Sequence, residues 1–288
     1  MASLYSKLKH IAHRVAPPIV YDALQRLRRS SRAPEWQYVP EGWDYARTHP
    51  ETKGWDVSAI AEVYRRKWPL FLEHMQGTGP LGVEHQSDPS YRHFLMAHNG
   101  AMSFGWVLAQ VARRRERISV LDFGGGCGHF FHFARALAPD VTLDYCVRDT
   151  PTLAALGAEL CPQATFYTDD VCFDRRYDLV WAQCALHYVR DWPAMVHRMA
   201  AAADDAVYLA LVPTTLRAPS YVYLQRAQKS GYQTEYLSWC IRRAELVREA
   251  KSAGLQLTRE FVYGPAPHVV GAPEPFRYMG GYFKVKQA

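Results

Sequence analysis

No run of 18 apolar residues occurs in the chain, and its N-terminus has neither the continuous apolar segment nor the small-residue cleavage site of a secretory signal. A membrane span and a signal peptide are therefore not expected. Cysteine is sparse: the six, at positions 127, 146, 161, 172, 184 and 240, contain no Cys-x-x-Cys pair and no metal-ligand cluster. A disulfide framework and a metal site are disfavoured, and a reduced, cytoplasmic protein is expected. Charge of one sign is missing from most of the chain, since 27 basic side chains balance 27 acidic ones after residue 34. A broad nucleic-acid face is thereby disfavoured.

What is present is the composition of an ordinary soluble protein, 49% hydrophobic and 22% charged over 288 residues, enough for one large domain or two modest ones. The uneven part is the start. Residues 1–34 carry seven basic side chains against one acid, Asp22, a net +6 that equals the formal charge of the whole chain. "LYSKLKHIAHRV" sets Leu4, Leu8, Ile11 and Val15 at helical spacing and stops near Pro17-Pro18; "IVYDALQRLRR" starts a second short helix. This segment reads as a solvated basic appendage that packs on the body or on a second copy in a homodimer. Weak peripheral contact with an anionic membrane is the alternative.

Residues 34–56, rich in Pro, Gly, Trp and Tyr, read as ordered irregular chain. "VSAIAEVYRRKWPLFLEHM" has helical periodicity up to Pro69, with a short turn expected after it, and residues 90–117 read as helix, a break at Asn99-Gly100, then helix. Residues 1–117 are thus expected to form a mainly helical cap or lid. From residue 118 the pattern changes to strands and helices in alternation: "ISVLDFG", a helix at 129–138, "VTLDYCV", a helix at 151–160, "ATFYTD", "YDLVWAQCAL", a helix at 192–203, and "AVYLALV". A helix "RRAELVREAKSAG" and the strands "LQLTREFVY" and "GGYFKVK" close the chain. Such alternation predicts an α/β domain over 118–288, a mainly parallel sheet with helices on both faces, with an aromatic-rich insertion at about 214–240.

The loop after the first strand, "LDFGGGCGHF", lets backbone approach a ligand closely. A dinucleotide fingerprint fails in both frames, because its sixth position falls on His129 or Phe131 instead of glycine, and no lysine completes a P-loop. The acid Asp122 before Gly124, Gly126 and Gly128 resembles the first motif of class I S-adenosylmethionine-dependent methyltransferases, (acid)-x-G-x-G-x-G. The resemblance covers about residues 118–213 and, more loosely, the C-terminal strands. "PPI" near the N-terminus, "VLDFGG" and a terminal glycine–aromatic strand are similar to a branch often encoded near surface-polysaccharide genes, which hints at a sugar or small-molecule acceptor.

That resemblance implies a Rossmann-like sheet with an antiparallel last strand, S-adenosylmethionine as cofactor, and specific roles. Asp122 and the backbone of Gly124, Gly125, Gly126 and Gly128 would meet the methionine moiety. Asp149, ending the second strand, would hold the ribose hydroxyls, with Asp144 as the alternative; Arg148 departs from relatives that place an acid there. Asp169 or Asp170 would accept from the adenine amine, and Gln183 would border the cofactor. His187 and Tyr188 would face the substrate, His187 as a general base or as a structural residue. Tyr38 in the N-terminal stretch and Tyr221, Tyr223, Tyr232, Tyr236 and Trp239 in the insertion are candidates for the pocket wall, where aromatic faces can stabilise a sulfonium. Metal-assisted methylation is disfavoured. Besides methyl transfer to a small-molecule or sugar oxygen or nitrogen, two readings stay open: intramolecular cyclisation to azetidine-2-carboxylic acid or aminocarboxypropyl transfer, both releasing methylthioadenosine, and a non-catalytic cofactor-binding scaffold.

Overall fold

The computed structural model describes residues 33–82, 95–113, 115–227, 230–264 and 266–286. Trp36–Ala288 form one compact unit; of the other unit, Met1–Glu35, only residues 33–35 are described, so the basic helices and "PPI" lie outside the described residues.

The chain runs through β1 (Trp36–Tyr38), a 3-10 turn at Gly42–Arg47, α1 (Ser58–Gln76) and α2 (Leu95–Ala112). It then alternates through β2 (Arg117–Phe123), α3 (His129–Leu137), β3 (Thr142–Arg148), α4 (Pro151–Leu160), β4 (Thr165–Tyr167), β5 (Tyr177–Gln183), α5 (Trp192–Ala202) and β6 (Ala203–Thr215). β7 (Tyr221–Arg226), β8 (Glu235–Arg242), α6 (Arg243–Ser252), β9 (Leu255–Gly264) and β10 (Arg277–Val285) complete it. β4, β3, β2, β5 and β6 pair in that order, all parallel, and β10 joins β6 and β9 in antiparallel pairing.

Strand residues alternate between two cores, as the period of two requires. Val120, Leu179, Trp181 and Tyr208 face a layer built from Phe71, Phe104, Leu108, Phe130 and Phe133 of α1, α2 and α3. Leu121, Val180, Val207 and Leu209 face Trp192, Val196, Met199 and Leu246 of α5 and α6. Helices on both faces explain why these strands read as continuous apolar runs.

Three local expectations are corrected. α1 runs unbroken through Pro69. Pro69 and Arg65, whose carbonyl loses its helical donor, both lie on the exposed face, where solvent can take that donor's place, while Trp68 and Phe71 hold the inner face in the core. α2 is also continuous across Asn99-Gly100. Asn99 Nδ2 donates to the Tyr263 carbonyl at 2.9 Å, and a Cβ on Gly100 would sit 3.1 Å from Gln183 Oε1, so these residues serve close packing and not a break. Finally, the stretch read as irregular contains β1, which adds to the edge of β7 in antiparallel register (Trp36↔Gln225, Tyr38↔Tyr223). The aromatic insertion is the β7–β8 hairpin, and the last residues of β6 pair with β8 (Thr214↔Ile241, Thr215↔Arg242), which attaches this ribbon to the carboxyl end of the main sheet. Among the described residues, no helix is long and apolar enough to cross a membrane.

Candidate functional site

The carboxyl ends of β2, β3 and β5 open onto a cavity of about 410 Å³. One end is the glycine loop. The Gly124 amide donates to the Arg148 carbonyl at 2.7 Å, stitching the loop to the end of β3. Gly124 has a φ of +72°, and a Cβ there would lie 2.3 Å from Cβ of Ala185 in the turn after β5; a Cβ on Gly125 would lie 2.5 Å from the Asp122 carboxylate. Glycine is required because a turn on one side and a carboxylate on the other occupy the space. Asp122 is buried and accepts from the Tyr145 hydroxyl at 2.8 Å, itself reached by Trp181 Nε1 at 3.3 Å. Burial pushes its carboxyl up to about 8, against the pull of the Tyr145 hydroxyl, with Asp149 adding to the rise. Asp149 accepts from the Gly126 amide and from the Thr150 amide, each at 2.7 Å, which ties β3 to the loop. Burial raises its carboxyl as well, opposed by those two amides.

The other end is aromatic and assembled from distant segments. Trp43, Lys53 and Trp55 come from the chain before α1, Tyr188 from the turn after β5, and Tyr236 from β8. Trp55 stacks on Tyr236 with centroids 4.8 Å apart and meets Tyr188 edge-on at 5.1 Å; Tyr188 and Tyr236 are 5.1 Å apart. The 52–56 segment is fastened by the Gly54 amide to the Glu235 carbonyl, the Thr234 hydroxyl to the Gly54 carbonyl, and the Thr152 amide at the start of α4 to Asp56. Several buried polar atoms of wall residues have no hydrogen-bond partner among the described residues, including Trp43 Nε1, Trp55 Nε1, Arg148 Nε and Gln183 Oε1. Such atoms are costly in a wall that binds nothing.

Residues 96–260, more than half of the chain, match the family described as the methyltransferase domain. The chain belongs to that methyltransferase family. S-adenosylmethionine is the cofactor this membership implies, and the wall fits it: a loop that only glycine can form, with two buried carboxylates beside it, suits a ligand bearing an ammonium and ribose hydroxyls. No curated protein matches this methyltransferase in sequence. Among solved structures, magnesium protoporphyrin IX methyltransferase from Synechocystis PCC 6803, with bound S-adenosylmethionine, is similar at 13% identity and a TM-score of 0.47, over 80% of this chain and 96% of that one. The 1,6-didemethyltoxoflavin-N1-methyltransferase of Burkholderia thailandensis is similar at 15% and 0.46, over 81% and 93%. An amino pentose methyltransferase from Micromonospora echinaspora is similar at 13% and 0.42, over 65% and 90%. These likenesses carry no information on the acceptor of this methyltransferase.

Of the residues singled out from the sequence, Asp122, Gly124, Gly125, Gly126, Asp149, Gln183, Tyr188 and Tyr236 line the cavity. Gly128 does not; it caps α3 in the left-handed region at φ +85°, packed on Cys161. Asp169 and Asp170 lie off the wall as well. Asp169 accepts from the Val171 amide, and Asp170 pairs with Arg148 and Arg198. His187 is 1% exposed and off the wall, and burial pushes its imidazole down to about 3, so it stays neutral and weakly basic, packed on Tyr188 at 4.2 Å. Tyr38 and Tyr221 meet each other edge-on, Tyr223 stacks on Phe276, and Trp239 donates to the Arg190 carbonyl; none of the four lines the cavity. Tyr232, also off the wall, lies behind Trp55.

Several wall residues were not assigned to the site from sequence. Trp43 carried a signal, an aromatic cluster in an irregular stretch, and His129 followed the glycine motif directly. Lys53, Tyr64 and Thr150 had no local signal.

Proposed function

We propose that this methyltransferase methylates an oxygen or nitrogen of a small molecule or sugar bound between the aromatic wall and the glycine loop. The observation that carries it is the two-ended cavity: a glycine cradle with two buried carboxylates at one end, rings from three separate segments at the other. When bound, S-adenosylmethionine supplies an electrophilic methyl carbon on a positively charged sulfur.

The chain's own residues divide the work. Asp149 holds the ribose hydroxyls with the lone pairs its two amide partners leave free, and Asp122 faces the amino group across the Gly124–Gly126 backbone. The engagement of Asp170 by two arginines favours Gln183 over it as a polar neighbour of the cofactor. Trp55, Tyr188 and Tyr236 exclude water and present ring faces to the positive charge. Orientation supplies much of the rate in such a transfer. His187 acts through packing behind Tyr188, and residues 43–55 close the acceptor side as a lid.

Calorimetry with S-adenosylhomocysteine tests the cofactor half, and absence of binding refutes it. Mass spectrometry of protein incubated with S-adenosylmethionine tests the reaction. Turnover to S-adenosylhomocysteine that requires an added acceptor supports methylation, whereas catalytic methylthioadenosine formation without acceptor refutes it in favour of cyclisation or aminocarboxypropyl transfer.

A further inference from the structure

We infer that the acceptor is a flat aromatic acid, a ring bearing a carboxylate that is ionised before it reaches the methyl group. This deepens the proposed function and rests on it, narrowing small molecule or sugar to one class.

Shape comes first. Trp55, Tyr188 and Tyr236 stand within about 5 Å of one another in stacked and edge-on geometry, and all three line the cavity together with Trp43 and Leu237. Ring faces and edges so arranged complement a planar ring, with the offset or edge-on contacts aromatic groups prefer.

Charge comes second. At the aromatic end the single ionic side chain of the described wall is Lys53. The two carboxylates of the wall, Asp122 and Asp149, belong to the glycine loop and are bonded to Tyr145 and to backbone amides. An ammonium acceptor would find no counter-charge at this end and would meet both Lys53 and the sulfonium. An anion is drawn to both, and because Lys53 is exposed its share of that attraction weakens as salt is added.

The proton comes third. A neutral alcohol needs a base in contact with it. His187 lies off the wall, and the hydroxyls of Tyr188 and Tyr236 are pushed well above their ordinary range by burial, which makes them donors at neutral pH. The imidazole that does line the cavity, His129, starts α3 at the loop end, its Nδ1 3.9 Å from where a Gly126 Cβ would stand and its ring set edge-on to Trp68 and Phe71. It packs beside the glycine loop. An acid that has already lost its proton needs no base: its oxygen forms the new bond to the methyl carbon as the carbon–sulfur bond breaks, and that bond's electron pair stays on sulfur. No proton moves, and the products are a methyl ester and S-adenosylhomocysteine.

The test is calorimetry on the full chain saturated with S-adenosylhomocysteine, with benzoate, 4-hydroxybenzoate and indole-3-acetate as probes. Benzamide, tyramine and methyl α-D-glucoside are the neutral, cationic and sugar controls. At least one acid is expected to bind tenfold or more tighter than every control. Lys53→Met should cut that preference at least threefold. Trp55→Ala should weaken acid binding tenfold or more, judged only with S-adenosylhomocysteine affinity and melting temperature retained. Tighter binding of tyramine or the glucoside, binding of none of the acids, or a preference unchanged in Lys53→Met overturns the inference. Failure to bind S-adenosylhomocysteine refutes the proposed function instead, so the two failures are distinguishable.

Discussion

Replacing Asp122 by Asn should leave stability unchanged in acid and raise it increasingly as pH rises. The carboxyl is 1% exposed, tucked under Gly125, and accepts a hydrogen bond from Tyr145. Burial moves it from an ordinary 3.8 up to about 8. At about 1.4 kcal/mol per pKa unit, ionising it in the folded chain costs roughly 6 kcal/mol more than in the unfolded chain. Between these values the folded state keeps a proton that the unfolded state releases, so stability is fully present below pH 3.8 and falls as pH climbs to about 8. Asn keeps an oxygen for the Tyr145 hydroxyl and does not titrate. Asp122→Asn should therefore match the native chain near pH 4 and exceed it by several kcal/mol at pH 8, read by urea unfolding across that range. A cationic ligand favours the ionised carboxylate, so binding near pH 7 should release up to about one proton, measurable by calorimetry in buffers of different ionisation enthalpy. The same variant should release none. A stability difference independent of pH would refute the reasoning.

His187 gives the opposite slope. Its imidazole is held at about 3 against an ordinary 6.5, so its contribution is present above pH 6.5 and lost as pH falls toward 3; His187→Gln should flatten the acid limb of an unfolding curve, and an unchanged limb would count against its burial as a neutral ring. Asp149→Ala should weaken S-adenosylhomocysteine by about 1–3 kcal/mol, and unaltered calorimetric affinity would move the ribose role to another acid. Gly124→Ala forces a Cβ to 2.3 Å from Ala185 at a φ of +72°, and should lower the melting temperature and abolish cofactor binding; a native-like melt would refute the close approach.

Much of the α/β half was legible because its signals are local. Apolar strands, a glycine stop after α6 and an acid-then-glycine loop each declare themselves within ten residues. Pro69 misled because the sequence does not say which face of α1 meets water, and Asn99-Gly100 because close packing on Tyr263 and Gln183 looks like a turn signal until the partners are known. Of the aromatic residues, Tyr236 reaches the cavity while Tyr221 and Tyr223 of the paired strand do not. Strand alternation puts all three on one face of the hairpin, so position along the ribbon, set by where the hairpin attaches to β6, decides which of them reaches the cavity.

The sequence by itself determined the sheet and the glycine loop with the acid before it, since these follow from periodicity and from residues adjacent in the chain; the class of cofactor came from the resemblance of that motif to a family. Tertiary structure decided how the aromatic end is assembled. Trp55, Tyr188 and Tyr236 meet there because the segment before α1 is fastened to β8 and to the start of α4, and such contacts between distant segments depend on the folded path and leave no mark in local spacing.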